Sequence, residues 1–373
     1  MSTESKTFSS PLPGRIISVD FFRGLTMFLL IGESTRLYAH LLDLNNPVLH
    51  FIGNQFHHHE WHGLHFWDLI QPFFMFIVGV AIPFSVANRL KKGESQRQIT
   101  LHAIKRSFLL LFLGWALYFT EAGKLVFRFQ NVLAQLSVTY LVAFFLLNKN
   151  FRVQTIFTLL ILILIDLAYR FFPVEGFNHP WVKYENLGAW FNNKIEGVER
   201  ASEWATLNFV STTAHTVWGM MCGKLLMSDR TPGKKIQILF IAGIICLIVG
   251  YALDFLNITP IIKKIATVSF VFASGGWSIL ALCFCYWLID VKKKFIKGSK
   301  FFIVVGMNSI FIYLFCELGF TRIISNRIVN PFSNLLFSWS GATTTAIITS
   351  LASWAILWYI CYWLYKNKIF IKI

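Results

Sequence analysis

The sequence predicts an all-α fold, a polytopic membrane helix bundle of about ten transmembrane helices, or eleven if one further segment crosses. Three observations predict it. Of the 373 residues, 55% are hydrophobic and only 14% are charged, whereas a soluble domain carries roughly a quarter charged residues. Apolar runs recur along the whole chain, each near the ~20 residues a span needs to satisfy its own backbone N–H and C=O groups. Most connections between them are short, so the spans are expected to form a single domain over 1–373.

The first run, 16–34, follows a stretch with no apolar core before Arg15. It is therefore expected to act as its own insertion signal rather than follow a cleaved one. The second, 65–87, is aromatic; Gln71-Pro72 interrupts its start, and Gly79 permits close helix packing. Runs at 106–121, 131–148 and 154–172 follow in quick succession. After the polar stretch 173–205 come 206–227, 236–256, 265–290, 301–320 and 342–365. All six cysteines, Cys222, Cys246, Cys283, Cys285, Cys316 and Cys361, fall in apolar runs and read as small buried hydrophobes.

Charge sets the orientation. With ten spans both termini share a side, and the loops of that side hold about twice as many Lys and Arg as the other. Basic loops stay cytoplasmic. Both termini are thus expected in the cytoplasm, with 35–64 and 173–205 facing outward, across a bacterial-type inner or plasma membrane. The net charge of +16 has the same explanation. No compact basic domain or aromatic–basic module accompanies it, so no nucleic-acid partner is expected.

Polar groups within spans are costly and mark candidate sites. Asp20 and Arg23, three residues apart, share a helix face and can pair; a structural ion pair and a ligand contact weigh equally. Asn308 and Ser309 suit hydrogen bonding between helices, and Glu317 is an intramembrane carboxylate. His215 reads as a packed, hydrogen-bonded histidine.

The densest chemistry lies at Phe56-His57-His58-His59-Glu60-Trp61-His62-Gly63-Leu64-His65-Phe66-Trp67-Asp68, which holds five of the ten histidines. Imidazole titrates near neutrality, so it can take a proton from a nucleophile or carry an acyl group. A neighbouring carboxylate can fix its tautomer. Metal binding through His57, His59, Glu60 and His62 is the weaker alternative, because no standard ligand spacing is met; no metal is expected.

The runs Arg15-x-x-Ser18-Val19-Asp20-x-Phe22-Arg23-Gly24 and His58-x-x-Trp61-x-Gly63-x-x-x-x-Asp68-Leu69-x-x-Pro72 resemble the heparan-α-glucosaminide N-acetyltransferase family. So do Arg106-Ser107-Phe108, Gly306-Met307-Asn308-Ser309 and the ending Lys368-Ile369-Phe370-x-Lys372-Ile373. The resemblance implies a multispanning enzyme that moves an acetyl group from cytoplasmic acetyl-CoA to an acceptor, typically an amino sugar, across the membrane. It selects His58 as the active histidine and Asp68 as its aspartate. Arg106 and Lys372 could meet the phosphates of CoA, with Asn308 as a third cofactor-binding candidate. Ser34, Asp20, Arg23, Arg128 and Glu317 are the acceptor-binding candidates.

The chain departs from the family pattern at Ser34, where the family has asparagine, at Ala134-Gln135 in place of Gln-Arg, and at Cys316 in place of histidine. The expected partners are a sugar or glycan acceptor and membrane lipids, with a homodimer open. Two other readings compete: an O-acyltransferase of a surface polysaccharide, and a small-molecule transporter, which would show broken helices and pseudo-symmetric halves.

Overall fold

The computed structural model describes residues 16–124, 126–196 and 202–371; Arg15 and Lys372 lie outside the described residues. Each apolar run becomes helix. The order is α1 (Ile17–Ser34), the short α2 (Leu37–Leu42) and α3 (Pro47–Gln55), then α4 (Ile70–Lys91), entered through a 3₁₀ turn at Phe66–Leu69. Next come α5 (Gln96–Ala122), α6 (Val132–Leu146), α7 (Phe151–Arg170), the outlying α8 (Leu187–Glu196), α9 (Asn208–Met227) and α10 (Pro232–Phe255). α11 (Val268–Cys285) runs on as a π-helical turn, Tyr286–Val291. The pair α12 (Ile296–Gly306) and α13 (Ser309–Glu317), the short α14 (Phe320–Ile323) and α15 (Asn330–Phe337), and α16 (Ala342–Lys366) complete the chain.

Caps explain where helices begin. Asn131 and Asn150 accept from Ala134 N and Val153 N to start α6 and α7. Ser95 and Gln98 form a capping box at α5, and Thr231 with Pro232 opens α10; each device satisfies N–H groups the first turn leaves open.

Among the described residues six helices are long and apolar enough to cross a membrane, namely Phe66–Lys91, Gln96–Thr120, Phe151–Arg170, Pro232–Phe255, Val268–Val291 and Ala342–Lys366. The pair α12 and α13, bent by 57° at its break, makes a seventh when its two halves are counted as one span. Length and apolarity thus qualify fewer spans than the ten expected, for a physical reason. The expected spans 16–34, 131–148 and 206–227 are helical, but α1 carries Asp20, Arg23 and Glu33, α6 has only 15 residues, and α9 is rich in hydroxyl side chains.

Those more polar helices are central. α9 packs on α4 so closely that a Cβ added at Gly79 would sit 2.0 Å from the Thr216 carbonyl oxygen. One at Gly219 would sit 2.0 Å from that of Phe76. His215 on α9 is fully buried with Nε2 2.8 Å from Ser274 Oγ, the packed role expected of it. α1 crosses α12 at Gly24, where an added Cβ would lie 2.1 Å from Phe302 O. At one end of the bundle the Ile17 and Ser18 N–H groups, the free first turn of α1, donate to Asp290 at 3.0 Å. At the other end the termini of α1, α4, α5, α6, α13 and α16 meet around a cavity.

Candidate active site

That cavity has a volume of about 1430 Å³. Its walls include Glu33 and Ser34 from the end of α1, Tyr118 from α5, Asn131 from the start of α6, Glu317 from α13 and Thr349 from α16. His58, Trp204 and Lys263 reach it from three separate loops.

His58 is placed by the turn that precedes α4. Its Nδ1 lies 2.8 Å from Asp68 Oδ1. Asp68, 1% exposed, also accepts from the backbone N–H of His59 (3.2 Å) and of His65 (2.9 Å) through Oδ2. Three N–H donors converge on this carboxylate, so its ionised form is the one the site is built for. The carboxylate draws the imidazole proton to Nδ1 and leaves Nε2 as the basic nitrogen. The side chain of His58 is 38% exposed, and the space it is exposed to is the cavity.

The other histidines of the segment have separate duties. His57 Nδ1 lies 2.8 Å from Gly53 O, and His65 Nδ1 lies 3.0 Å from His57 O. His62 Nε2 lies 2.7 Å from Asp254, whose Oδ1 also accepts from Ile261 N. Gly63 N donates to Ile261 O at 2.9 Å. The last two contacts, to Asp254 at the end of α10 and to Ile261 in the loop before α11, pin the histidine segment to that part of the fold.

That loop delivers Lys263, 7% exposed, to 3.2 Å from His58 Nδ1 and 3.6 Å from Asp68 Oδ1. Burial draws its ammonium down to about 8, against the pull of Asp68. Burial also pushes His58 below the ordinary imidazole range; Lys263 acts in the same direction, and the Asp68 hydrogen bond opposes both. The next residue, Lys264, pairs with Glu203, which also pairs with Lys183. Trp204 stands edge-on to His58 with ring centroids 5.2 Å apart.

The structure therefore brings His58, Ser34 and Glu317 to one cavity, with Asp68 directly behind His58. Ser34 Oγ donates to Ile31 O at 2.8 Å and lies 3.3 Å from Thr321 Oγ1. Arg128 is one layer away, its guanidinium 5.9 Å from the ring of Tyr118. Asp20 and Arg23 pair with each other at 2.8 Å, away from the cavity walls. At the Ala134-Gln135 departure, Gln135 is buried, accepting from Thr212 at 3.0 Å and donating to Gln130 O at 3.0 Å.

The cofactor-binding candidates lie elsewhere. Arg106 sits about 16 Å along α5 from the cavity residue Leu117, at 1.5 Å per residue. Its guanidinium lies 4.7 Å from the Tyr140 ring, and its buried Nε has no hydrogen-bond partner. Asn308, fully buried at the α12–α13 break, donates to Ile369 O (3.1 Å) and accepts from Ile371 N (2.9 Å). Its amide thus holds the tail that leads to Lys372.

Lys263 and Trp204 are the residues the sequence did not single out. The only local signal is the run Ile261-Ile262-Lys263-Lys264-Ile265, two charges inside a short apolar turn.

Two curated proteins match nearly the whole chain. One, from Mus musculus and named heparan-alpha-glucosaminide N-acetyltransferase, is 25% identical over an alignment of 427 positions that covers 96% of this chain. The protein of that name from Homo sapiens is 25% identical over 436 positions covering 98% of this chain. The chain is a distant relative of heparan-α-glucosaminide N-acetyltransferase. It spans 60% of the length of the mouse N-acetyltransferase and 61% of the human one. No family model matches.

Proposed function

We propose that this chain is a single transmembrane acyltransferase domain that passes an acetyl group from cytoplasmic acetyl-CoA to an amine of an amino sugar or glycan in the His58 cavity. The observation that carries the reading is the His58–Asp68 hydrogen bond, with Nε2 left basic at a cavity large enough for a sugar unit. The loop-charge asymmetry supports an outward-facing cavity and cytoplasmic termini.

Acetyl-CoA supplies an acyl group activated as a thioester. The orphaned Nε of Arg106 and the Asn308-held tail that leads to Lys372 suit a phosphate-bearing donor at the opposite end of the bundle. His58 Nε2 takes the proton from the acceptor amine as its nitrogen bonds to the acyl carbon. The acyl carbon–sulfur bond breaks, and the sulfur leaves as thiolate and regains a proton. Where the acyl group rests on His58 first, Nε2 is the nucleophile, and the amine displaces it in a second step. Asp68 stabilises the imidazolium in either route. Ser34 and Glu317, with Arg128 behind Tyr118, are the acceptor-side candidates; Asp20 and Arg23 fit a structural ion pair better.

The test is purified protein with acetyl-labelled acetyl-CoA and a panel of amino sugars. Label should enter a product that resists mild base, as an amide does; a base-labile product would instead assign an O-acyltransferase. The 57° break between α12 and α13 favours one further reading, a transporter built on a discontinuous helix. Solute flux without consumption of acetyl-CoA would establish it.

A further inference from the structure

Lys263 is joined to the His58–Asp68 pair by fold rather than by sequence, since 205 positions separate it from His58. Its loop is held at several points. Ile262 N donates to Thr267 Oγ1 and Ala266 N to Lys263 O, at 3.0 and 2.9 Å. Ala266 adopts a left-handed φ of 45°, a conformation that costs energy in a residue with a Cβ. The Lys264 carbonyl accepts from Ala205 N and from the Asn208 side chain. The ammonium of Lys263 is thus aimed by a rigid turn.

A plain ion pair with Asp68 does not account for where the ammonium lies. It is nearer to the imidazole nitrogen, at 3.2 Å, than to the carboxylate oxygen, at 3.6 Å. Asp68 already has three N–H donors. Nδ1, with its proton directed at Asp68, offers the ammonium no lone pair. A buried cation beside an imidazole is costly, and what it does is act against a second positive charge on the ring. Lys264 shares Glu203 with Lys183, and Lys263 offsets Asp68, so no net negative charge stands beside His58 to welcome a proton. Across the cavity His58 is faced by Glu33 and Glu317 and by Arg36 and Arg322, two of each sign.

We propose that Lys263 is a positioning residue that holds the His58–Asp68 pair with the imidazole neutral, its proton on Nδ1 and its lone pair on Nε2 toward the cavity. This rests on the acyltransferase reading, in which only the neutral ring can accept a proton or an acyl group. Asp68 fixes the tautomer and Lys263 discourages the second proton. The imidazolium formed during transfer is then a short-lived species that readily gives up what it has taken.

The experiment reads His58 without requiring transfer. Full-length protein in detergent is treated with diethyl pyrocarbonate, which modifies neutral imidazole, across a pH series; modification of His58 is followed by mass spectrometry, with His50 as internal reference. In the unaltered protein the midpoint should fall below about 6.5, the ordinary imidazole value. In Lys263→Gln it should rise by about one to two pH units, the scale of one removed neighbouring charge. Lys263→Arg should stay near the unaltered protein. The acidic limb of the transfer rate should move with the midpoint in Lys263→Gln. Coincident midpoints in the unaltered protein and Lys263→Gln would overturn the proposal. So would an unaltered protein, needing no variant to fold, whose His58 is modified with a midpoint at or above 6.5. A shifted midpoint in protein that transfers no acetyl would uphold Lys263 and reject the acyltransferase function instead.

Discussion

His58 Nδ1 and Asp68 Oδ1 are 2.8 Å apart, and the backbone of the same short segment holds the carboxylate through His59 and His65. The pair is therefore assembled locally, within one turn, and then offered to a cavity that six helix ends enclose. Replacing Asp68 with Asn keeps the shape but presents an amide that can reverse the tautomer. Asp68→Asn should lower kcat about 10³–10⁴-fold, with little change in the KM for acetyl-CoA. Steady-state kinetics on purified protein check this.

Asn308 ties the tail through both ends of its amide. Asn308→Ala should release residues 367–371, seen as faster amide hydrogen exchange there. Two hydrogen bonds are lost from a buried group, a cost of about 1–3 kcal/mol. If the tail helps hold the donor, the KM for acetyl-CoA should rise about tenfold while kcat holds. An unchanged KM with a freed tail would remove Asn308 and Lys372 from donor binding.

The helices and the pairing of His58 with Asp68 were legible because both are local. Apolar runs dictate helix wherever backbone groups must be satisfied internally, and His58 and Asp68 are ten positions apart in one segment. Which histidine lies at the cavity is not legible from composition; the motif register selects His58, and in the fold His57, His62 and His65 hydrogen-bond to Gly53, Asp254 and the His57 carbonyl instead. Lys263 was invisible as a site residue because nothing near position 263 records what lies against it. The break at Asn308 reads as a helix interior in hydropathy, since apolar runs, Phe301–Val305 and Ile310–Cys316, flank it on both sides. Asp20 and Arg23, a motif in sequence, pair with each other beside the α1–α12 crossing rather than at the cavity.

Glu203 is held by Lys183 and Lys264. Burial pushes its carboxyl up, but these two hydrogen bonds outweigh that and keep it below the ordinary glutamate value. A depressed carboxylate contributes stability that is present above its unfolded value and lost as pH falls through the folded one. Glu203→Gln should therefore lower stability by ~1 kcal/mol at pH 7. The difference should shrink as pH falls from 7 past the ordinary glutamate value of about 4.3, and vanish only once the folded carboxyl, which protonates at a lower pH than that, is neutral too. Thermal unfolding in detergent across that range tests the sign.

The close crossing of α4 and α9 makes Gly79 intolerant of a side chain. A Cβ there would lie 2.0 Å from a backbone oxygen, which no rotamer change can relieve. Gly79→Ala should destabilise by at least ~2 kcal/mol, near the upper part of the usual overpacking range, as read by a lowered Tm. Gly93, whose added Cβ would meet nothing within 4 Å, is a control for packing, although its φ of +81° carries its own backbone strain.

The most direct measurement of the central claim is acetyl transfer in proteoliposomes, with labelled acetyl-CoA supplied on the side of the termini and an amino-sugar acceptor on the side of His58. The unaltered protein should label the acceptor. His58→Ala, folded by its Tm, should fall to the level of empty vesicles. Equal transfer by His58→Ala would contradict the assignment of His58 as the group that carries the chemistry.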